Sequence, residues 1–314
     1  MTICPFQAAL SKQIYHLNHH PNPFQAASNP MHTSTPHPPA YPQRWQSLNL
    51  SWWRPWLALL LLILLFAATY GALALLLAIW PLPTPTPLGL LLAVLLAPLV
   101  ALVPVTRLAV RWGLGQGGGL LDAPERHFRW LWALCALGVS VVLFLPMLAI
   151  EMLWLNPAPL QPEPNLFGLA LFLLLLVPFQ AAGEEYLFRG FLSQFIGQWL
   201  RSRRWAFWLP LLLTSLLFAL VHGQQDLPLF LTRFGLGAVF FWLTWHSGGL
   251  EAAIGLHAAS NLLAFAQSLL TGTTLSNLFS SEVDWRLALV QLLASAAIAV
   301  LLVRLQGRHR KAAP

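Results

Sequence analysis

Residues 166–189 read LFGLALFLLLLVPFQAAGEEYLFR: an apolar run from Leu166 to Ala182 leads straight into Glu184, Glu185 and Arg189. An ionisable side chain at membrane depth costs roughly 2.5–3.5 kcal/mol on insertion scales. Two adjacent carboxylates at the end of such a run therefore call for partners and for a task.

Working outward, the rest of the chain has the same character. Its apolar fraction is 57% and its charged fraction 9%, against roughly 25% charged residues in soluble domains. Spanning the hydrocarbon layer takes about 20 mostly apolar residues per helix. Stretches of that kind lie at 56–80, 88–108, 130–155, 166–192, 205–223, 228–246, 249–270 and 286–305. The reading is an all-α, multi-pass integral membrane protein of about eight transmembrane helices, with residues 51–314 forming the membrane domain.

Positive charge orients the spans, because Lys and Arg in short loops stay on the cytoplasmic side. With the N-terminus inside, the inner segments hold Lys12, Arg44 and Arg54; Arg107, Arg111, Arg126 and Arg129; Arg201, Arg203 and Arg204; and Arg304, Arg308, Arg310 and Lys311. These are fourteen of the seventeen basic residues, and the loops at 81–87, 156–165, 224–227 and 271–285 have none. Both termini are therefore expected in the cytoplasm. The formal charge of +7 is spread along one membrane face and not gathered into a stripe, which argues for contact with the lipid bilayer and against nucleic acid. Trp52, Trp53, Trp56, Trp80, Trp130, Trp205 and Trp285 fall near span ends, as interfacial anchors do.

Residues 1–50 are rich in Pro, His, Asn and Gln, lack a signal-peptide core, and read as a disordered cytoplasmic tail. Its histidines are irregularly spaced and read as adventitious metal binders. Cys4 and Cys135 lie in the tail and the third span, a poor arrangement for a disulfide.

Three spans carry polar groups suited to chemistry. On a helix, residues four apart share a face, so Glu185 can pair with Arg189, while Glu184 turns about 100° away. His222 ends the fifth span and lies about as far after the basic turn Arg201–Arg204 as Glu184 lies before it; in an antiparallel hairpin the two share a height. His257 and Asn261 share one face of the seventh span. Gly255 and Ala259 offer the small surface that lets a neighbouring helix approach. Glu251 reads as a helix N-terminal acid near the macrodipole and not as a catalytic group.

Glu184, His222, His257 and Asn261 together suit hydrolysis of an amide bond. The carboxylate would take a proton from water. The imidazoles would either hold a divalent metal such as Zn, with Glu184, His222 and His257 as ligands, or orient the water unaided. Asn261 would donate to the developing oxyanion. The zinc-protease signature H-E-x-x-H is absent, so both routes stay open.

At these residues the chain resembles the CPBP family of intramembrane proteases, which includes eukaryotic type II CaaX prenyl endopeptidases and bacterial bacteriocin-processing or immunity-associated proteins. The pattern E-E-x-x-x-R, F-x-x-x-H, H-x-x-x-N is met by Glu184–Arg189, Phe218–His222 and His257–Asn261, in order and on separate spans. The resemblance covers about residues 165–270 and implies a metalloendopeptidase acting on a membrane-associated peptide or protein. It implies Glu184 as the water-activating residue, His222, His257 and Asn261 completing the site, and Arg189 supporting the Glu184–Glu185 pair. A non-catalytic scaffold or immunity-type member of the same fold is the main alternative, and an ion-coupled carrier a third, since buried carboxylates and histidines also build proton relays.

Heights counted along the chain disagree. At 1.5 Å per residue, Glu184 stands roughly 28 Å from the turn at 201–204, whereas His257 stands about 12 Å from the inner end of its span. A fourth and fifth helix that extend into the cytosol before turning would reconcile them.

Overall fold

In a backbone that crosses hydrocarbon, every N–H and C=O must be satisfied within the segment, which leaves the helix as the natural solution for apolar runs of this length. The computed structural model follows that rule. It describes residues 39–312 apart from Pro124, and among the described residues there is no strand. The expected tail from residue 1 to 38, with its histidines and Cys4, lies outside the described residues.

Eight helices are long and apolar enough to cross a membrane: α1 Arg54–Ile79, α2 Leu88–Leu114, α3 Trp130–Leu155, α4 Leu166–Gly197, α5 Arg203–Leu220, α6 Leu227–Ser247, α7 Glu251–Thr271 and α8 Trp285–Ala312. Their order and number follow the sequence reading, and the chain is a multi-pass membrane protein. α7 is the central post. It packs against α3 on one side and α4 on the other, with α6 and α8 also touching it, and every residue from Glu251 to Ser260 is buried. α1 lies at the edge, burying only Pro55, Ala58 and Leu62. Its Leu60, Ile63, Leu64, Leu75 and Leu76 are exposed, an apolar face suited to lipid. All seven tryptophans expected at span ends are exposed as well.

Small residues set the spacing around α7. A Cβ added at Gly255 would come within 2.7 Å of the Leu137 backbone nitrogen on α3, so the expected close approach at Gly255 occurs, with α3 as the neighbour. Ala136 and Ala259 are buried in the same seam. Cys135, next to Ala136, points outward with a free thiol.

One part of the expected tail departs from the reading. Residues Tyr41–Leu48 form a 3-10 helix, with Tyr41 and Trp45 buried in the same core cluster as Leu121, Tyr186 and Phe191. Two large aromatics outweigh the surrounding polar composition. Trp45 meets Phe191 edge-on at 5.4 Å, and Tyr41 donates its hydroxyl hydrogen bond to the Leu121 carbonyl. Arg44 donates to the carbonyls of Asp122 and Gly248, tying this helix both to the α2–α3 loop and to the turn between α6 and α7. Asp122 in turn accepts from Arg107 and from the Tyr186 hydroxyl. Glu251 is not merely facing a helix dipole. Its carboxylate is buried and pairs bidentately with Arg129, at 3.1 and 2.7 Å, binding the start of α7 to the start of α3.

Candidate active site

α4 runs for 32 residues, which at 1.5 Å per residue is roughly 48 Å, well beyond the roughly 30 Å hydrocarbon core. The height conflict is resolved by this overhang. Glu184 and His257 touch, so the Gly197 end of α4 projects past the start of α7. Near the carboxylates α4 lies hard against α2: a Cβ at Gly183 would come within 1.8 Å of the Leu99 carbonyl oxygen. Immediately after Glu185 the helix widens into a π segment, Tyr186–Leu192. Such widenings recur at functional sites because they re-aim side chains without ending the helix.

The two glutamates, expected to occupy different environments, do so. Arg189 Nη1 donates to Glu185 Oε1 at 2.8 Å, with both side chains fully buried. The second arm of Arg189 reaches the Gly237 carbonyl on α6 at 3.0 Å, and its guanidinium lies 4.5 Å from the Phe218 ring centroid. Glu185 is thus held by a local cation. His257 Nδ1 lies 2.8 Å from the same Glu185 oxygen. The carboxylate accepts, so Nδ1 carries the hydrogen and the ring is fixed in orientation. Phe240 stacks on the ring at 4.7 Å with an interplanar angle of 16°.

Glu184 is the carboxylate that faces open space. It lines a cavity of about 660 Å³ together with Gln180, Phe218, His222, His257 and Asn261. Its Oε2 lies 3.3 Å from His257 Nε2. An ionised carboxylate and a neutral imidazole lone pair would repel at that separation, so the contact implies a proton held between the two. The result is a continuous polar chain Arg189–Glu185–His257–Glu184.

His222 lies just past the last residue of α5, exposed beside the cavity. Its Nδ1 is 2.6 Å from the Phe218 carbonyl, which accepts only, leaving Nε2 as the free ring nitrogen. The Phe218 ring stands edge-on to both imidazoles, 4.9 Å from His222 and 5.7 Å from His257, and so spaces them. Asn261, one turn beyond His257, donates through Nδ2 to Gln180 Oε1 at 3.0 Å. Four of the six expected site residues therefore contact one another directly, while Asn261 joins them through Gln180 and His222 through Phe218, both on the shared cavity.

The ligand set expected for a metal is less well formed. Glu184, His222 and His257 share the cavity, yet among the described residues no group of three His, Cys, Asp or Glu side chains is arranged to hold an ion. Both nitrogens of His257 face carboxylates, and Nδ1 of His222 is committed to the backbone.

Residues 166–263 match the family model described as "Type II CAAX prenyl endopeptidase Rce1-like". Over this stretch the chain is similar to the CPBP family, as its three motifs led one to expect. The match spans α4 through the first half of α7, the part that supplies every convergent residue above. The family so described is one of membrane-integral proteases. No curated protein and no solved structure matches the chain.

Within this core, three side chains contribute that the sequence reading left without a role. Gln180 orients Asn261; the available signal was its position one helical turn before Glu184, a polar residue in an apolar run. Phe240 stacks on His257, which no local pattern announces. Arg233 lines the same cavity, from a helix outside the three motifs.

Proposed function

We propose that this protein hydrolyses a peptide bond of a membrane-associated substrate by water activated at Glu184. The observation that carries the reading is the cavity-facing carboxylate in contact with an imidazole that is itself pinned by a second, neutralised carboxylate. Glu184 accepts a proton from water within the cavity, and His222 Nε2 helps to orient that water. The oxygen attacks the carbonyl carbon, forming a C–O bond as the carbonyl π pair moves to oxygen. His257, carrying the shared proton, and the free N–H of Asn261 donate to that oxyanion. Donors of this kind are worth about 3–4 kcal/mol where one has been removed. On collapse the C–N bond breaks, the π pair returns, and the proton taken by Glu184 passes to the leaving amine, so one water is consumed for each bond cut. A general base contributes typically about 100- to 10,000-fold.

The two environments explain why the base is Glu184 and not Glu185. One oxygen of Glu185 is taken by Arg189 and His257 and the other is buried away from the cavity, whereas Glu184 has a face open to the cavity. A metal-assisted route would use the same cavity, with Glu184, His222 and His257 offering donors, and would differ in its response to chelation.

The test is purified protein in lipid nanodiscs against a library of N-acylated peptides, with and without chelator, beside Glu184→Gln and His257→Ala. Loss of cleavage in both variants, with melting unchanged for Glu184→Gln, is the expected result; full cleavage in either would dispose of the mechanism. Insensitivity to chelator is expected for the side-chain route.

A further inference from the structure

A second hollow, of about 530 Å³, shares no lining residue with the reacting cavity. It opens where the end of α2, the loop after it and the start of α3 meet, on the side that the positive-inside pattern favours as cytoplasmic. Its lining carries three guanidinium groups, those of Arg107, Arg111 and Arg126, against one carboxylate, that of Asp122. Arg107 is committed to Asp122, which also accepts from the Tyr186 hydroxyl. Arg111 and Arg126 are exposed and form no ion pair among the described residues. Two positive charges are thus left over in the lining.

Local structure brings these groups together. Arg107 and Arg111 lie four apart and so share a face of α2. Arg126 comes from the loop, at a left-handed φ of 61° that residues other than glycine seldom adopt. Its carbonyl oxygen lies so near Gly119 that a Cβ there would come within 2.1 Å of it, which holds the loop in this course. The Arg126 side chain reaches only the neutral oxygen of Gln116, at 3.5 Å. Arg111, in the last turn of α2, also complements the dipole of that helix, but that role calls for neither Arg126 nor a hollow.

Guanidinium forks match the oxygens of a phosphate, and the level of the hollow says where that phosphate comes from. Trp130 lines it and Trp112 follows Arg111 on α2; both are exposed, as tryptophans at headgroup level are. Leu108 and Phe128, also in the lining, offer apolar contact to the glycerol and the upper part of an acyl chain. Basic pockets between spans on the cytoplasmic side suit phospholipid headgroups.

We propose that this hollow binds the headgroup phosphate of one anionic phospholipid of the cytoplasmic leaflet, with Arg111 and Arg126 donating to its oxygens. Arg107 stays on Asp122. The site is independent of the protease reading.

The experiment titrates the full chain in uncharged detergent with short-chain phosphatidylglycerol, with short-chain phosphatidylcholine and with inorganic phosphate, counting bound molecules by native mass spectrometry. Wild type is expected to take up one phosphatidylglycerol saturably. Arg111→Gln and Arg126→Gln are each expected to weaken that binding about 5-fold, and the pair about 30-fold, so that the effect is legible even where one variant folds poorly. Arg111→Lys with Arg126→Lys should keep part of the affinity. Arg201→Gln with Arg204→Gln removes the same charge from the other cytoplasmic turn and should leave the affinity unchanged. Equal weakening by the two glutamine pairs would mean diffuse attraction to a basic face and overturn the site. Phosphatidylcholine binding as tightly as phosphatidylglycerol, inorganic phosphate binding as tightly as either lipid, or no saturable uptake would each overturn it too.

Discussion

Glu184 and Glu185 are neighbours in the chain, yet their substitution should have opposite consequences. Glu185 and Arg189 are both fully buried, so Glu185→Gln strands a guanidinium and should destabilise the protein by about 3–5 kcal/mol, the usual cost of removing one partner of a buried pair. Glu184→Gln, at the cavity wall, should leave the melting transition nearly in place while stopping turnover. Thermal unfolding of the two variants side by side separates these roles; equal destabilisation would contradict the assignment. Gln180→Leu should cost about 10- to 100-fold in kcat with little change in KM, because a loosened Asn261 mispositions a donor that matters most in the transition state. Of this residue-scale logic, the Glu185–Arg189 pair was legible from i,i+4 spacing, as was the shared face of His257 and Asn261. The bond from His257 to both carboxylates was not, since it depends on how α4 and α7 meet across more than seventy residues of chain.

At the scale of elements, the seam between α2 and α4 is the most sensitive place to probe. Gly183→Ala places a methyl where the Leu99 carbonyl oxygen stands, and overpacking of this kind typically costs about 1–3 kcal/mol. A lowered melting temperature together with reduced turnover is expected, because the helix that must yield also carries Glu184. An unchanged melting curve would show that α4 can shift freely. The starts of the spans were legible to within two residues, since apolar length sets them, while the ends of α2, α4 and α8 run five to seven residues further than read. The overhang of α4 was foreseen only as a way out of a conflict in heights. Its π segment left no mark in the apolar pattern, because a widened turn preserves composition.

For the whole molecule, an even number of spans calls for the two ends of the membrane domain on one side, and the positive-inside pattern favours the cytoplasm for that side. We propose this orientation for the chain. Single cysteines placed at positions 202 and 282 should label from opposite faces of sealed vesicles; labelling from the same face would overturn it. Where the tail ends was misread. Composition treats 41–48 as polar and loose, but Trp45, at 1% exposure, and the two carbonyls held by Arg44 fix the segment against the bundle. Scattered aromatics in a polar stretch were the available signal.

The packed line between α3 and α7 has a practical corollary. Gly255 lies two positions before His257 on α7, and the α3 backbone it presses against is flanked by Cys135, whose thiol points away from the bundle. A lipophilic nitroxide or fluorophore attached there would sit outside the bundle yet behind the reacting imidazole. The native chain thus has a built-in observation post from which to time substrate arrival.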